Sequence, residues 1–131
     1  MSARRQLTNV EEDTIERVVH EFYSRIQEDD VLGPIFDSRI DNWDEHLATM
    51  VDFWSSILNT TGRYRGNPPA VHAAVSAIEP WHFARWLKLF HATTDELCSE
   101  EEAAQFQSRS QRMAQVLSAR LAEYRRANAA L

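Results

Sequence analysis

Apolar residues return every three or four positions along most of this chain. Ile15, Val18, Val19, Phe22, Tyr23 and Ile26 trace one face of a helix. Trp43, His46, Leu47, Met50, Phe53, Trp54, Ile57 and Leu58 trace a second. Trp81, Phe83, Trp86, Leu87, Phe90, Thr94 and Leu97 form a third, and Phe106, Met113, Val116, Leu117, Leu121 and Tyr124 a fourth. No stretch alternates with the period of two that a half-buried strand needs. With 3 Gly and 4 Pro in 131 residues, the chain also lacks the turns of an all-β domain. The pattern predicts a single all-α domain over 1–131, with a short N-terminal tail at about 1–8.

Local signals set the expected boundaries. Thr8-x-x-Glu11 reads as a capping box for a first helix at about 9–29. Asp29-Asp30 oppose the negative end of its dipole and close it. Leu32-Gly33-Pro34-Ile35-Phe36 reads as a tight turn. Asn42-x-x-Glu45 opens the next helix, to about residue 60, with Gly62 as its stop. Pro68-Pro69 start a short helix that carries His72 and ends near Val75. Pro80 opens another, and Ser99-x-x-Glu102 is a capping box for the last.

Charge narrows the partners. The formal net charge is −6, from 14 basic and 20 acidic residues, and Lys88 is the sole lysine. Nucleic-acid binding needs clustered cations, so none is expected. Arg109, Arg112, Arg120, Arg125 and Arg126 gather near the C-terminus, but Gln and Ala dilute them into a solvated helix face. No apolar run approaches the ~18–20 residues of a membrane span, and the first residues hold no apolar signal core. Cys98 stands alone, so neither an internal disulfide nor a thiolate metal cage is available, and it reads as a buried, inert thiol. A cytoplasmic monomer with no membrane partner is expected.

Four Trp and six Phe exceed what a plain bundle of this length requires. They are either extra core or the lining for a flat, apolar ligand. Among the five histidines, His20, His82 and His91 read as structural or solvent residues. His46 shares a face with Met50, Phe53 and Trp54. A polar ring there needs a partner, so it is either a core histidine bonded to a carbonyl or one that faces a ligand cavity. His72 lies on a helix too short to persist by propensity, so packing or a bond through His72 must hold it. An iron–imidazole bond would do so, with the other ring nitrogen donating to the Pro68 carbonyl. Other metal schemes fit poorly. The only Glu-x-x-His is Glu79-x-x-His82, interrupted by Pro80, and no local cluster offers zinc four ligands. There is no Gly-rich phosphate loop and no Gly-x-Ser-x-Gly elbow.

Phe22-Tyr23, Leu32-Gly33-Pro34-Ile35-Phe36, Trp43-x-x-His46, Phe53-Trp54-Ser55, Tyr64-x-Gly66-x-Pro68, His72 and Trp86-Leu87-x-Leu89-Phe90 follow one another in a set order. Together they resemble the truncated haemoglobins, and among them the third group, over about residues 9–125. The Gly-Gly pairs of the first two groups are absent. The resemblance implies a globin-like two-over-two helical sandwich around haem b. It places His72 as the proximal iron ligand, with Tyr23, His46 and Trp86 as the catalytic residues over the distal side. Phe36 would stack on the haem, and Met50, Trp54 and Phe90 would complete its contacts. Tyr64 and Arg65 are the candidates to meet the haem propionates.

Iron held by one imidazole keeps its sixth position open for a gas or peroxide. The implied function is therefore binding of O2 and other diatomic ligands. Redox or detoxification chemistry on oxygen, peroxide or nitrogen oxides would follow, peroxidase-like or nitric-oxide-detoxifying, with electrons from an unidentified reductase. Two alternatives stand beside it. One is a non-enzymatic oxygen carrier or gas sensor, and the other an apo helical interaction module whose aromatics are only core.

Overall fold

Burial follows the apolar stripes. The computed structural model describes residues 10–66 and 79–129. Among them it holds α1 (Glu12–Glu28), α2 (Leu32–Arg39), α3 (Trp43–Asn59), α4 (Pro80–Leu97) and α5 (Glu100–Ala129). The expected short helix at 68–75, with His72, lies outside the described residues, as does Thr8. Helix α1 packs on α2, α3 and α4, α4 packs along α5, and α3 touches α5. The result is an all-α sandwich, α1 and α3 in one layer and α4 and α5 in the other. No helix among the described residues is long and apolar enough to cross a membrane.

Ile15, Val18, Val19, Phe22 and Ile26 of α1 are buried against Trp54, Phe90 and Phe106. Each such side chain contributes ~1.5–3 kcal/mol on burial. A smaller cluster of Phe83, Leu117 and Leu121 fills the space between α4 and α5. Two residues of the stripes stay outside. Trp81 is 55% exposed and Val116 44%.

The helix ends differ from expectation in three places, each with a local cause. Helix α1 begins at Glu12 with Glu11 as its N-cap, and Glu11 makes no side-chain cap bond. Ahead of it, the Val10 N–H donates to Asn59 Oδ1 (3.0 Å) and the Val10 carbonyl accepts from Asn59 Nδ2 (2.7 Å). A side-chain amide on α3 thus satisfies the backbone before α1 starts.

Residues 32–36, expected as a tight turn, are instead part of the eight-residue helix α2. The Asp29 carboxylate accepts the N–H groups of Val31 (3.1 Å) and Leu32 (2.8 Å) at its start. Pro34 falls in the first turn, where a missing N–H costs nothing. Gly33 is there for close approach, since a Cβ at this position would lie 2.8 Å from the Gln27 carbonyl oxygen. Asp29 also accepts two bonds from the Arg85 guanidinium, both 2.9 Å, which ties this corner to α4.

Helix α3 starts as expected, with Asn42 Oδ1 accepting the Glu45 N–H (3.1 Å). It ends at Thr60 rather than Gly62, because Thr60 itself takes the left-handed conformation (φ 58°). The box at Ser99 and Glu102 forms reciprocally: Ser99 N–H to Glu102 Oε1 is 3.0 Å and Glu102 N–H to Ser99 Oγ is 3.2 Å.

Candidate functional site

A cavity of ≈ 290 Å³ opens between the two layers. Helix α1 contributes Tyr23 to its lining, and α2 contributes Phe36 and Arg39. His46, Met50 and Trp54 come from α3, and Tyr64 from the loop that follows it. Helix α4 adds His82 and Trp86, and α5 adds Met113 and Leu117. A largely apolar wall with few polar groups is the usual character of a small-molecule site.

Tyr23 is 5% exposed, although it carries a hydroxyl. Burial pushes its phenol well above the usual range, so the hydroxyl remains an O–H donor at working pH. Its ring meets His46 edge to face, with centroids 5.0 Å apart, and Phe36 at 5.9 Å. Trp43, one turn before His46, packs edge to face on the imidazole (5.7 Å) and against Tyr23 (6.1 Å). The i, i+3 spacing of Trp43 and His46 puts both on one helix face. That spacing was the signal for Trp43, which was not among the expected site residues.

Phe90 does not line the cavity; it stands behind it. Trp54 stacks on it at 5.1 Å and 14°, and Trp86 at 5.1 Å and 12°. Phe22 closes the group with its ring edge-on to Trp86 and Phe90. Both lining indoles thereby take their plane from one fully buried ring.

Tyr64 is half-buried with its ring edge-on to Phe53 (5.0 Å), and its N–H donates to Ser56 Oγ (2.9 Å). A Cβ at Gly66 would meet the hydroxyl end of the Tyr64 ring, so a larger residue there requires that ring to shift. Arg65 is exposed and is not among the residues lining the cavity. His72 lies outside the described residues.

His82, set aside in the sequence as a structural or solvent residue, is 9% exposed and lines the cavity. Its Nδ1 accepts the Glu79 N–H at 2.8 Å. In the neutral ring the proton therefore sits on Nε2. Glu79-x-x-His82 is thus the N-cap and third residue of α4 with Pro80 between them, the spacing of a cap and not of a metal pair. Arg39 is the other polar lining residue that sequence reasoning missed. No group of three or more His, Cys, Asp or Glu among the described residues is placed to hold a metal ion.

A family model described as bacterial-like globin matches residues 10–119. The chain is 31% identical over 96 residues to the group 3 truncated hemoglobin ctb of Campylobacter jejuni, spanning 70% of this chain and 76% of that protein. The chain belongs to the group III truncated haemoglobins. Its fold agrees with this: the crystal structure of a group III truncated hemoglobin from Campylobacter jejuni superposes with a TM-score of 0.82 at 29% identity, covering 86% of this chain and 92% of that one. This truncated haemoglobin thus builds its cavity where the two helix layers of a shortened globin face each other. Its one cysteine, Cys98, lies apart from the cavity lining. Burial, with help from Glu102, pushes its thiol up to about 11, so it stays protonated and unreactive.

Proposed function

We propose that this protein holds haem b in the cavity between its layers and performs redox chemistry there on dioxygen, a peroxide or a nitrogen oxide. The residues present suit that group. A flat, apolar macrocycle matches a cavity bounded by Phe36, Met50, Trp54, Trp86 and Leu117, and its carboxylates match a lining that, among the described residues, holds a cation and no Asp or Glu. Haem would supply a redox-active iron with one open position, held, by the family resemblance, through His72.

The observation that carries the redox reading is the Tyr23 hydroxyl, buried in the cavity wall beside His46 and unable to ionise at working pH. A preorganised O–H donor favours negative charge developing on a small ligand. Trp86 brings an indole N–H to the same lining and His46 an imidazole. Each bond to a charged acceptor contributes ~1.5–3 kcal/mol, and ~1.4 kcal/mol is a factor of ten. Donors of this kind slow O2 release, which works against carriage and in favour of reduction or peroxide chemistry. Electrons would come from a reductase outside this chain.

Stopped-flow O2 dissociation and peroxide turnover in wild type, Tyr23→Phe and Trp86→Phe test this reading. Slow release in wild type is expected, roughly tenfold or more faster in Tyr23→Phe, with reduced peroxide turnover in both variants. Fast release from wild type, unchanged by either substitution and without peroxide reactivity, would contradict it and favour an oxygen carrier.

A further inference from the structure

Arg39 stands in the last turn of α2, exposed on one side and lining the cavity on the other. It is the only Lys or Arg among the described lining residues, and no Asp or Glu lines the cavity with it. Arg25, Arg63, Arg85 and Arg125 are each paired with a carboxylate of the protein, on Glu21, Glu12, Asp29 and Glu79 respectively. Arg39 makes no such pair with a described residue; neither do Arg17, Arg65, Arg109, Arg112 and Arg126, but of these arginines Arg39 alone lines the cavity. A guanidinium without a counter-ion among the described residues, at the edge of a cavity whose described lining is otherwise neutral and largely apolar, is complementary to a ligand with an apolar body and a carboxylate at one end. Its planar fork matches a carboxylate with two parallel bonds, which a lysine in its place would not.

We propose that Arg39 binds a carboxylate of the cavity's occupant, and so fixes which edge of that occupant faces solvent. The inference rests on the haem reading above, under which the carboxylate is a propionate. It assigns that contact to α2, on the cavity side, and not to Arg65 in the loop after α3. The apolar body then lies inward against Phe36 and Leu32, with the charged end at the exposed rim, where its desolvation is least.

The test uses haem and haem dimethyl ester, which differ only in the carboxylates. Apoprotein is loaded with each, and transfer to excess apomyoglobin is followed by absorbance for wild type, Arg39→Gln, Arg39→Lys and Arg65→Gln. Wild type should hold haem about tenfold longer than the ester, the scale of one charge-assisted contact near solvent. Arg39→Gln should release haem at close to the ester's rate and lose the discrimination. Arg39→Lys should recover part of it, and Arg65→Gln should behave as wild type. Arg39→Gln discriminating as well as wild type, or wild type treating haem and ester alike, would overturn the Arg39 contact while leaving haem binding intact. Wild type taking up neither pigment would overturn the haem reading, and the contact with it.

Discussion

The Tyr23 phenol and the His46 imidazole meet edge to face, centroids 5.0 Å apart and planes at 88°. This contact joins α1 to α3 at the cavity, and Trp43 braces it from one turn before His46. Packing and hydrogen-bond donation are therefore separable at Tyr23. Tyr23→Phe keeps the ring and should change stability by less than ~1.5 kcal/mol, the range of volume-conserving swaps. Tyr23→Ala removes the ring and should cost ~3–5 kcal/mol. Urea denaturation of the two variants measures the split. Equal losses would mean that the hydroxyl, not the ring, holds the two helices together.

Phe90 is the shared surface on which Trp54 and Trp86 lie. Phe90→Ala should destabilise by ~3–5 kcal/mol and flatten the near-ultraviolet circular dichroism, since both indoles lose the ring that sets their plane. Near-native dichroism in a folded Phe90→Ala would show that other contacts orient them.

His46 lines the cavity without being its metal ligand in the proposed site. Ferric spectra of the haem-loaded protein should show the same coordination in wild type and His46→Leu, with ligand release rates changed instead. A low-spin bis-imidazole spectrum in wild type that vanishes in His46→Leu would make His46 a ligand.

Asp29 governs the α1–α2 corner. Its bonds from Arg85, together with the Leu32 and Val31 N–H groups, hold its carboxyl below the usual carboxylate range, against the opposing effect of burial. A carboxyl with a lowered folded pKa contributes stability that is complete above its unfolded value, near 3.9. That stability is lost as pH falls through the folded pKa. Asp29→Ala should cost ~1 kcal/mol at neutral pH from the unsatisfied N–H groups at the start of α2. For Asp29→Asn, the gap in denaturation midpoint from wild type should close as pH is lowered from 6 towards 3. A gap that is constant with pH would show that the charge contributes nothing.

Four of the five described helices were legible because each buries one face, and a buried face writes its period into the sequence. Helix α2 was not, because its start depends on Asp29, whose carboxylate is held by Arg85 on a different helix. Gly33-Pro34 looks like a turn to local reasoning; the close approach to the Gln27 carbonyl is a tertiary fact. Trp81 and Val116 show the other limit, since both keep the helical spacing of their stripes and yet are exposed: periodicity says which face a residue is on but not whether that position is covered.

That Tyr23, His46 and Trp86 line one cavity was legible in the order of their motifs. Arg39 and His82 lie at helix ends, where no stripe marks the cavity side. For His82 a readable signal existed, an N-cap and third-residue spacing around Pro80. For Arg39 nothing local distinguishes it from the solvated arginines elsewhere in the chain.

Haem uptake by the cavity is tested most directly by titrating apoprotein with haemin while following both the Soret band and tryptophan fluorescence. Trp54 and Trp86 line the cavity, so both signals should saturate together at one haem per chain, with strong quenching. A Soret signal that rises without saturation while tryptophan fluorescence stays unquenched would contradict a haem site between these helices.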